Sequence, residues 1–473
     1  MRRPLAWASS LILWAWMALP HAQTPSLPDI GDPAHAQLSS SEEAELGREV
    51  MQRIRRELPL IEDPESLAYL DDLGQRLARP LGGRFTFFIV NAPSINAFAL
   101  PGGYIGVHTG LILAAENESE LAAVLAHEIA HVSQHHLART LEAQRRMGLP
   151  ALAALVAALA LGTQSPELGQ AALAVTTAGQ IQHQINFTRA HEMEADRVGM
   201  EILEASGFAP ESMPRFFERL QQNLRLTGTH KVPEFLSTHP VTSRRIAEAR
   251  ARAAQAPPGK KDSLAFHLFR ARIRVLASED PREAAEAFEK ALKAPYPEAL
   301  RYGRALALLK AGEPGRAKAL AEALARKDPS RLPYLLLEAE SEWALGEREK
   351  ALAHYQEALQ WYPQSEALVL AYAEALLKAG QGQKAARLLK EQVHRHPSPG
   401  AYQLLARAYQ QLGLREDTHL ALAESYALEG DIPSAIAHLE LALKEPLDFY
   451  HRARIEARLA ALKKARILDK KGR

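Results

Sequence analysis

Four prolines recur at one interval in the C-terminal half of this chain: Pro295, Pro329, Pro363 and Pro397 stand 34 residues apart. Gly312, Gly346 and Gly380 keep the same interval, and Gly413 falls one residue short of it. Two residue types in phase at this period imply a stack of two-helix units, with a glycine at the tight turn inside each unit and a proline ahead of the next. The segments EAESEWALGEREKALAHYQEALQWYP (Glu338 to Pro363) and AYAEALLKAGQGQKAARLLK (Ala371 to Lys390) carry the mixture of small and large apolar residues that lets such helices nest. The spacing predicts about four to six helical pairs over 264–463. The pattern is irregular towards the end, where AESYALEGDIPSAIAHLELAL (Ala423 to Leu443) falls half a repeat out of phase. Each unit buries its apolar face only against its neighbours, so the array forms a superhelix whose concave face suits an extended peptide or another protein.

The repeats begin after AAQAPPGKKDS (Ala253 to Ser263), where two prolines, a glycine and charges interrupt the helical pattern. This places an interdomain linker at 256–263. Ahead of it a second folded unit spans 41–255, behind a polar linker over 23–40, and a basic tail, 464–473, follows the repeats. The first residues, MRRPLAWASSLILWAWMALPHAQ, show Arg2 and Arg3, an apolar run from Leu5 to Leu19 and then Ala22, the layout of a secretory signal peptide over 1–22 that is cleaved after Ala22. The apolar run is shorter than the roughly 20 residues of a spanning helix. Lys plus Arg (57) nearly balance Asp plus Glu (56), so no net field favours nucleic acid, and at most peripheral membrane contact is expected. With no cysteine in the chain, metal ligands must be His, Asp or Glu.

Within the first unit, SSSEEAELGREVMQRIRREL predicts an amphipathic helix capped at Ser39, Ser40 or Ser41. RFTFFIVN (Arg84 to Asn91) and FALPGGYIGVHTGLI (Phe98 to Ile112), the latter divided by Pro101-Gly102-Gly103, predict a small sheet. His108 falls on one of these strands, where a solvated side chain is the plain expectation. Helical periodicity then runs from Glu118 to about Arg146 and carries VLAHEIAHVSQHH, residues 124–136. On a helix, His127 and His131 share one face about 6 Å apart along the axis, so both imidazoles can reach one tetrahedral zinc. Glu128, displaced around the helix, can address an attacking water as general base. His135 and His136 are read as non-ligands. The nearly apolar stretch over 149–178 predicts a buried helical hairpin, or else a lid over a cleft.

A second helical segment, NFTRAHEMEADRVGMEIL (Asn186 to Leu203), sets Glu192 and Asp196 four residues apart. Glu192 suits a third ligand and Asp196 a carboxylate that accepts the N–H of a ligand imidazole. Taken alone, the segment reads equally well as a solvated helix face.

HEIAH followed by EMEAD, and preceded by NAFALPGGYIGVHTGLI, resembles the M48 family of zinc metallopeptidases over roughly Ser41 to Arg252, and the 34-residue period resembles tetratricopeptide repeats. The resemblance implies a mainly α chain: a zincin-type (gluzincin) α+β metallopeptidase domain with a small sheet, then an α-solenoid of tetratricopeptide repeats. It implies one zinc per chain held by His127, His131 and Glu192, with Glu128 as general base and Asp196 behind the ligands. In STHPVTSRR (Ser237 to Arg245) it implies functional roles for His239 and Arg245. His239 either stabilises the oxyanion or takes the fourth zinc position in a latent enzyme. The segment before the zinc helix, which includes the strand of His108, resembles an edge strand that holds substrate by backbone hydrogen bonds.

The resemblance, with the signal segment and the repeats, implies two classes of function. One is a periplasmic zinc endopeptidase that cuts unfolded or misassembled envelope proteins. The other is a chaperone-like adaptor whose repeats engage the outer-membrane β-barrel assembly machinery while the peptidase site stays mostly closed. The intact ligand set and Glu128 favour the enzyme.

Overall fold

The computed structural model describes residues 40–141, 189–227, 234–291 and 295–471. The expected signal segment and the apolar 149–178 stretch lie outside the described residues.

The first unit opens with α1 (Ser40–Glu57), then β1 (Leu60–Ile61) and α2 (Pro64–Ala78). Asp63 caps α2, its carboxylate accepting the Ser66 N–H at 2.8 Å. Strands β2 (Thr86–Val90), β3 (Ala97–Leu100) and β4 (Tyr104–His108) complete a four-stranded sheet of order β1-β2-β4-β3. β2 and β4 pair in parallel, with Thr86 opposite Tyr104, and the other two pairs are antiparallel. The expectation of an edge strand at His108 is therefore corrected. Gly102 and Gly103, at φ 72° and 80°, let the chain fold β3 back beside β4, so β4 lies inside the sheet and β3 forms its edge.

Seven further helices complete this unit among the described residues: α3 (Thr109–Ala114), α4 (Glu118–Ser133), α5 (His136–Leu141), α6 (Arg189–Ala205), α7 (Ser212–Thr227), α8 (Glu234–Thr238) and α9 (Ser243–Ala253), the last of which leads to the linker. α4 is buried from Glu118 to His131, enclosed by α2, the sheet, α6 and α7. The helix expected over 118–146 is broken. His135 takes φ 52°, a left-handed conformation that few non-glycine residues adopt, and the chain restarts as α5.

Beyond the linker, six antiparallel helical pairs follow among the described residues. They are Leu264–Leu276 with Pro281–Lys290, Pro297–Lys310 with Pro314–Lys327, Leu332–Ala344 with Arg348–Trp361, Glu366–Lys378 with Gly382–Arg395, Pro399–Gln411 with Arg415–Glu429, and Ile432–Ala442 with Phe449–Lys471. Gly312, Gly346, Gly380 and Gly413 all have positive φ, between 73° and 84°. They end the first helix of a pair in the left-handed turn that glycine enters without steric penalty. Ala317, Ala351 and Ala385, one per repeat, are fully buried, where a larger side chain would hold the helices apart.

Among the described residues the two units share one buried apolar cluster. Phe266, Phe269 and Ile273, from the first repeat helix, belong to the same buried cluster as α4, and the Phe269 ring stacks on Tyr69 with centroids 4.5 Å apart. Arg272 forks onto Asp63 at 2.8 and 2.6 Å and also reaches Glu65 at 2.7 Å. α2 also packs against Glu366–Lys378, and the Gln52 amide of α1 donates to the Gly430 carbonyl. The array is thus partly covered by the chain's own α1 and α2. The linker is docked too: Glu118 N–H donates to Asp262 at 3.2 Å, and Ala209 N–H to the Lys260 carbonyl at 3.1 Å.

Candidate metal centre

Three elements of the first unit converge on one buried point. Asn117 caps α4, its side chain accepting the Glu120 N–H at 3.2 Å, which fixes the start of the helix that presents His127, Glu128 and His131. α6 crosses α4 at Gly199: a Cβ added there would lie 3.2 Å from the His127 nitrogen. This close approach lets Glu192, in the first turn of α6, reach both imidazoles. The third element is α8, anchored by Phe235 N–H to the Ile95 carbonyl at 3.0 Å, and His239 follows it directly.

The Nε2 atoms of His127 and His131 are 3.0 Å apart. Glu192 Oε1 lies 3.4 Å from His131 Nε2, and its Oε2 lies 3.6 Å from His127 Nε2. His239 Nδ1 is 2.9 Å from Glu192 Oε1 and 3.4 Å from His127 Nε2. One ligand atom from each of the four residues lies within 4.8 Å of the others. Three nitrogens and one carboxylate oxygen, all buried, form a donor set that fits zinc. None of these side chains is more than 2% exposed, so outside a shared cation their convergence would leave lone pairs facing one another.

Around this set the remaining expected residues take up distinct places. Glu128 is fully buried, with Oε1 3.6 Å from His239 Nε2. Burial pushes its carboxyl above the usual range, against the pull of His239 and His127. Asp196 Oδ1 lies 3.1 Å from His127 Nδ1, on the face of the ring away from the shared point. Arg245 holds Asp196 with a bidentate fork, extends Nη1 to Glu192 at 2.6 Å and donates to the Pro240 carbonyl at 2.9 Å. Although burial opposes ionisation, the hydrogen bonds from Arg245 and His127 hold Asp196 below the usual carboxylate range.

His135 and His136 stand outside the four-residue set, yet His136 is tied to it. The break after Ser133 swings His136 beneath His131, Nδ1 to Nδ1 at 2.9 Å, and its Nε2 lies 3.1 Å from Glu194. His136 and Glu194 thus orient the His131 ring, a link that the sequence reading missed. Its signal was the second histidine in SQHH paired with the middle acid of EMEAD. The expectation of a solvated His108 is corrected as well. His108 is fully buried, because β4 lies inside the sheet, and its Nδ1 lies 2.8 Å from Ser94 Oγ and 3.9 Å from Glu234 at the start of α8.

The family model for peptidase family M48 matches residues 64–253, and one for tetratricopeptide repeats matches 342–406. The beta-barrel assembly-enhancing protease of Yersinia pestis is 36% identical over 448 residues, spanning 93% of this chain and 92% of the relative. That of Escherichia coli K12 is 35% identical over 449 residues, spanning 93% and 91%. The mitochondrial metalloendopeptidase OMA1 of Danio rerio is 32% identical over 167 residues, 35% of this chain and 34% of the relative. This chain belongs to peptidase family M48, in the group that joins the peptidase to tetratricopeptide repeats and includes the beta-barrel assembly-enhancing proteases.

Proposed function

We propose that the chain is a zinc-dependent endopeptidase of the bacterial periplasm, acting on unfolded or misassembled outer-membrane proteins. Residues 1–22 would serve as the export signal, 41–255 as the peptidase unit and 264–463 as the repeat unit that meets substrates or the barrel-assembly machinery. The observation that carries the reading is the convergence of His127, His131, Glu192 and His239 on one buried point beside Glu128. Export and assembly-related partners rest on the N-terminal pattern and on the names of the relatives.

In this proposal His127, His131 and Glu192 hold the metal. Zinc, when bound, acidifies water to a pKa of about 7 and polarises a carbonyl. Glu128 accepts the proton of the water that attacks the scissile carbonyl and returns it to the leaving amine. Its raised proton affinity suits both steps, because a carboxylate poised nearer neutrality accepts and releases protons readily. Asp196 fixes the tautomer of His127 so that Nε2 keeps its lone pair for the metal, and Arg245 keeps Asp196 charged and in place. β3, at the sheet edge next to α4, supplies the backbone groups on which an extended substrate can pair.

His239 points Nδ1 into the ligand set. This favours the reading in which it takes the fourth position and closes the resting enzyme, so that the repeats act as an adaptor until a partner opens the site. Casein cleavage by zinc-loaded wild type and His239→Ala tests this point. Faster cleavage by the variant supports closure, whereas loss of cleavage assigns His239 to the chemistry. Complementation of a deletion strain by Glu128→Gln separates the two functions: failure requires the enzyme, and full rescue assigns the role to the adaptor.

A further inference from the structure

The third repeat departs from its neighbours in one place. Glu342, on Leu332–Ala344, occupies the position that is Leu308 one period earlier and Leu376 one period later, and His354, on the paired helix, occupies that of Leu320 and Leu388. Leu308 and Leu376 are buried packing residues. Here a fully buried carboxylate replaces them, with His354 Nδ1 at 2.8 Å and Lys350 Nζ at 2.7 Å. Replacing leucine by a buried charge weakens a packing contact unless the charge serves another purpose.

Beside this substitution lies a cavity of about 410 Å³, large enough for one or two side chains. Glu322, Glu338 and Glu357 line it together with His354, Arg326 and Trp361. Neither the Glu338 nor the Glu357 carboxylate has a hydrogen bond or ion pair among the described residues. Burial pushes Glu338 above the usual carboxylate range; His354 opposes the shift, and Glu342 and Glu322 add to it. Arg326 is 4.0 Å from Glu322 and offsets only that carboxylate. The Trp361 indole is 50% exposed at the rim, and Leu335, Ala325, Ala358 and Pro329 supply apolar wall.

We infer that this cavity on the third repeat is a binding pocket for a lysine or arginine side chain of a partner polypeptide. The apolar wall takes the aliphatic stem, the Trp361 face attracts the cation, and Glu338 and Glu357 accept its N–H groups. A divalent metal fits less well, although Glu338, Glu342 and His354 offer three ligand atoms within 4.8 Å. The ammonium groups of Lys350 and Lys318, 2.7 and 3.7 Å from Glu342, already neutralise the carboxylate such an ion would need.

Fluorescence anisotropy of a labelled peptide alternating alanine and arginine, added to the full-length protein, tests the pocket. A matching peptide with citrulline keeps the shape and removes the charge. The expected result is saturable binding of the arginine peptide, at least about tenfold weaker in Trp361→Ala and in the Glu338→Gln, Glu357→Gln double variant. The citrulline peptide is then at least about tenfold weaker on wild type. Glu391→Gln, which changes the exposed residue one period after Glu357, should bind as wild type does. Unchanged binding in the double variant, or equal binding of the citrulline peptide, overturns the inference. So does displacement of the peptide by zinc that Glu338→Gln abolishes, which would assign the pocket to a divalent cation.

Discussion

Arg245 holds Asp196 through two parallel hydrogen bonds, Nε to Oδ2 at 2.6 Å and Nη2 to Oδ1 at 2.8 Å, with its side chain 4% exposed. The same guanidinium reaches Glu192, so one cation on α9 neutralises two carboxylates on α6. Removing it leaves both buried and without that counter-charge. Arg245→Ala should destabilise the protein by about 3–5 kcal/mol, read as a lower urea midpoint. Arg245→Lys should recover only part of the loss, because an ammonium cannot form the fork.

In the proposed site Asp196 reaches the metal through His127, with Oδ1 3.1 Å from the ring Nδ1. Asp196→Asn keeps the shape but offers an amide in place of the carboxylate that accepts the His127 Nδ1 hydrogen. Zinc affinity should fall about 10–100-fold, measured by competition with a chromogenic chelator. Unchanged affinity would remove Asp196 from the metal site.

The approach of α6 to α4 at Gly199 has its own test. An added Cβ would lie 3.2 Å from the His127 nitrogen and 3.3 Å from the Ala126 carbonyl carbon, so the helices must part by a few tenths of an ångström. Overpacking costs about 1–3 kcal/mol and outweighs the gain of up to about 1 kcal/mol from helix propensity. Gly199→Ala should therefore lower both the melting temperature and the zinc affinity. A melting temperature above that of wild type contradicts this.

Burial lowers His108 from 6.5 to about 4, although a hydrogen bond donated by the imidazole to the Ser94 backbone opposes the shift. Between these two values the unfolded chain binds the proton and the folded one does not. Stability from this group is thus complete above pH 6.5 and is lost as pH falls towards 4, by up to roughly 3 kcal/mol. In urea titrations, His108→Gln should show a flatter decline than wild type over that window. Parallel curves would show that His108 does not drive the acid sensitivity.

Much of this was legible because it is periodic or local. Prolines and glycines at one interval marked the helical pairs, and two histidines four apart on a helix, with Glu192 and Asp196 four apart on another, marked the segments that converge at the candidate metal centre. What escaped depended on how distant segments meet. The left-handed turn at His135 brings His136 under His131, and nothing in the residues themselves announces it. The burial of His108 follows from β3 folding outside β4, a matter of strand order rather than composition. The docking of α2 on the repeats rests on Arg272 with Asp63 and Glu65, charges that look solvated in sequence. The polar pocket of the third repeat was visible in the 34-residue alignment only once Glu342 and His354 were seen to replace leucines.

Zinc content and casein hydrolysis, measured on the same preparations of wild type and Glu128→Gln, test the central claim most directly. Glu128 lies outside the ligand set, so both proteins should bind one zinc per chain. Hydrolysis by the variant should fall by about 100-fold or more, the range expected for loss of a general base. If the wild type is held closed by His239, the same comparison applies in the His239→Ala background. Equal hydrolysis by both proteins, or zinc lost from the variant alone, would contradict the assignment of Glu128 as the base beside an intact metal site.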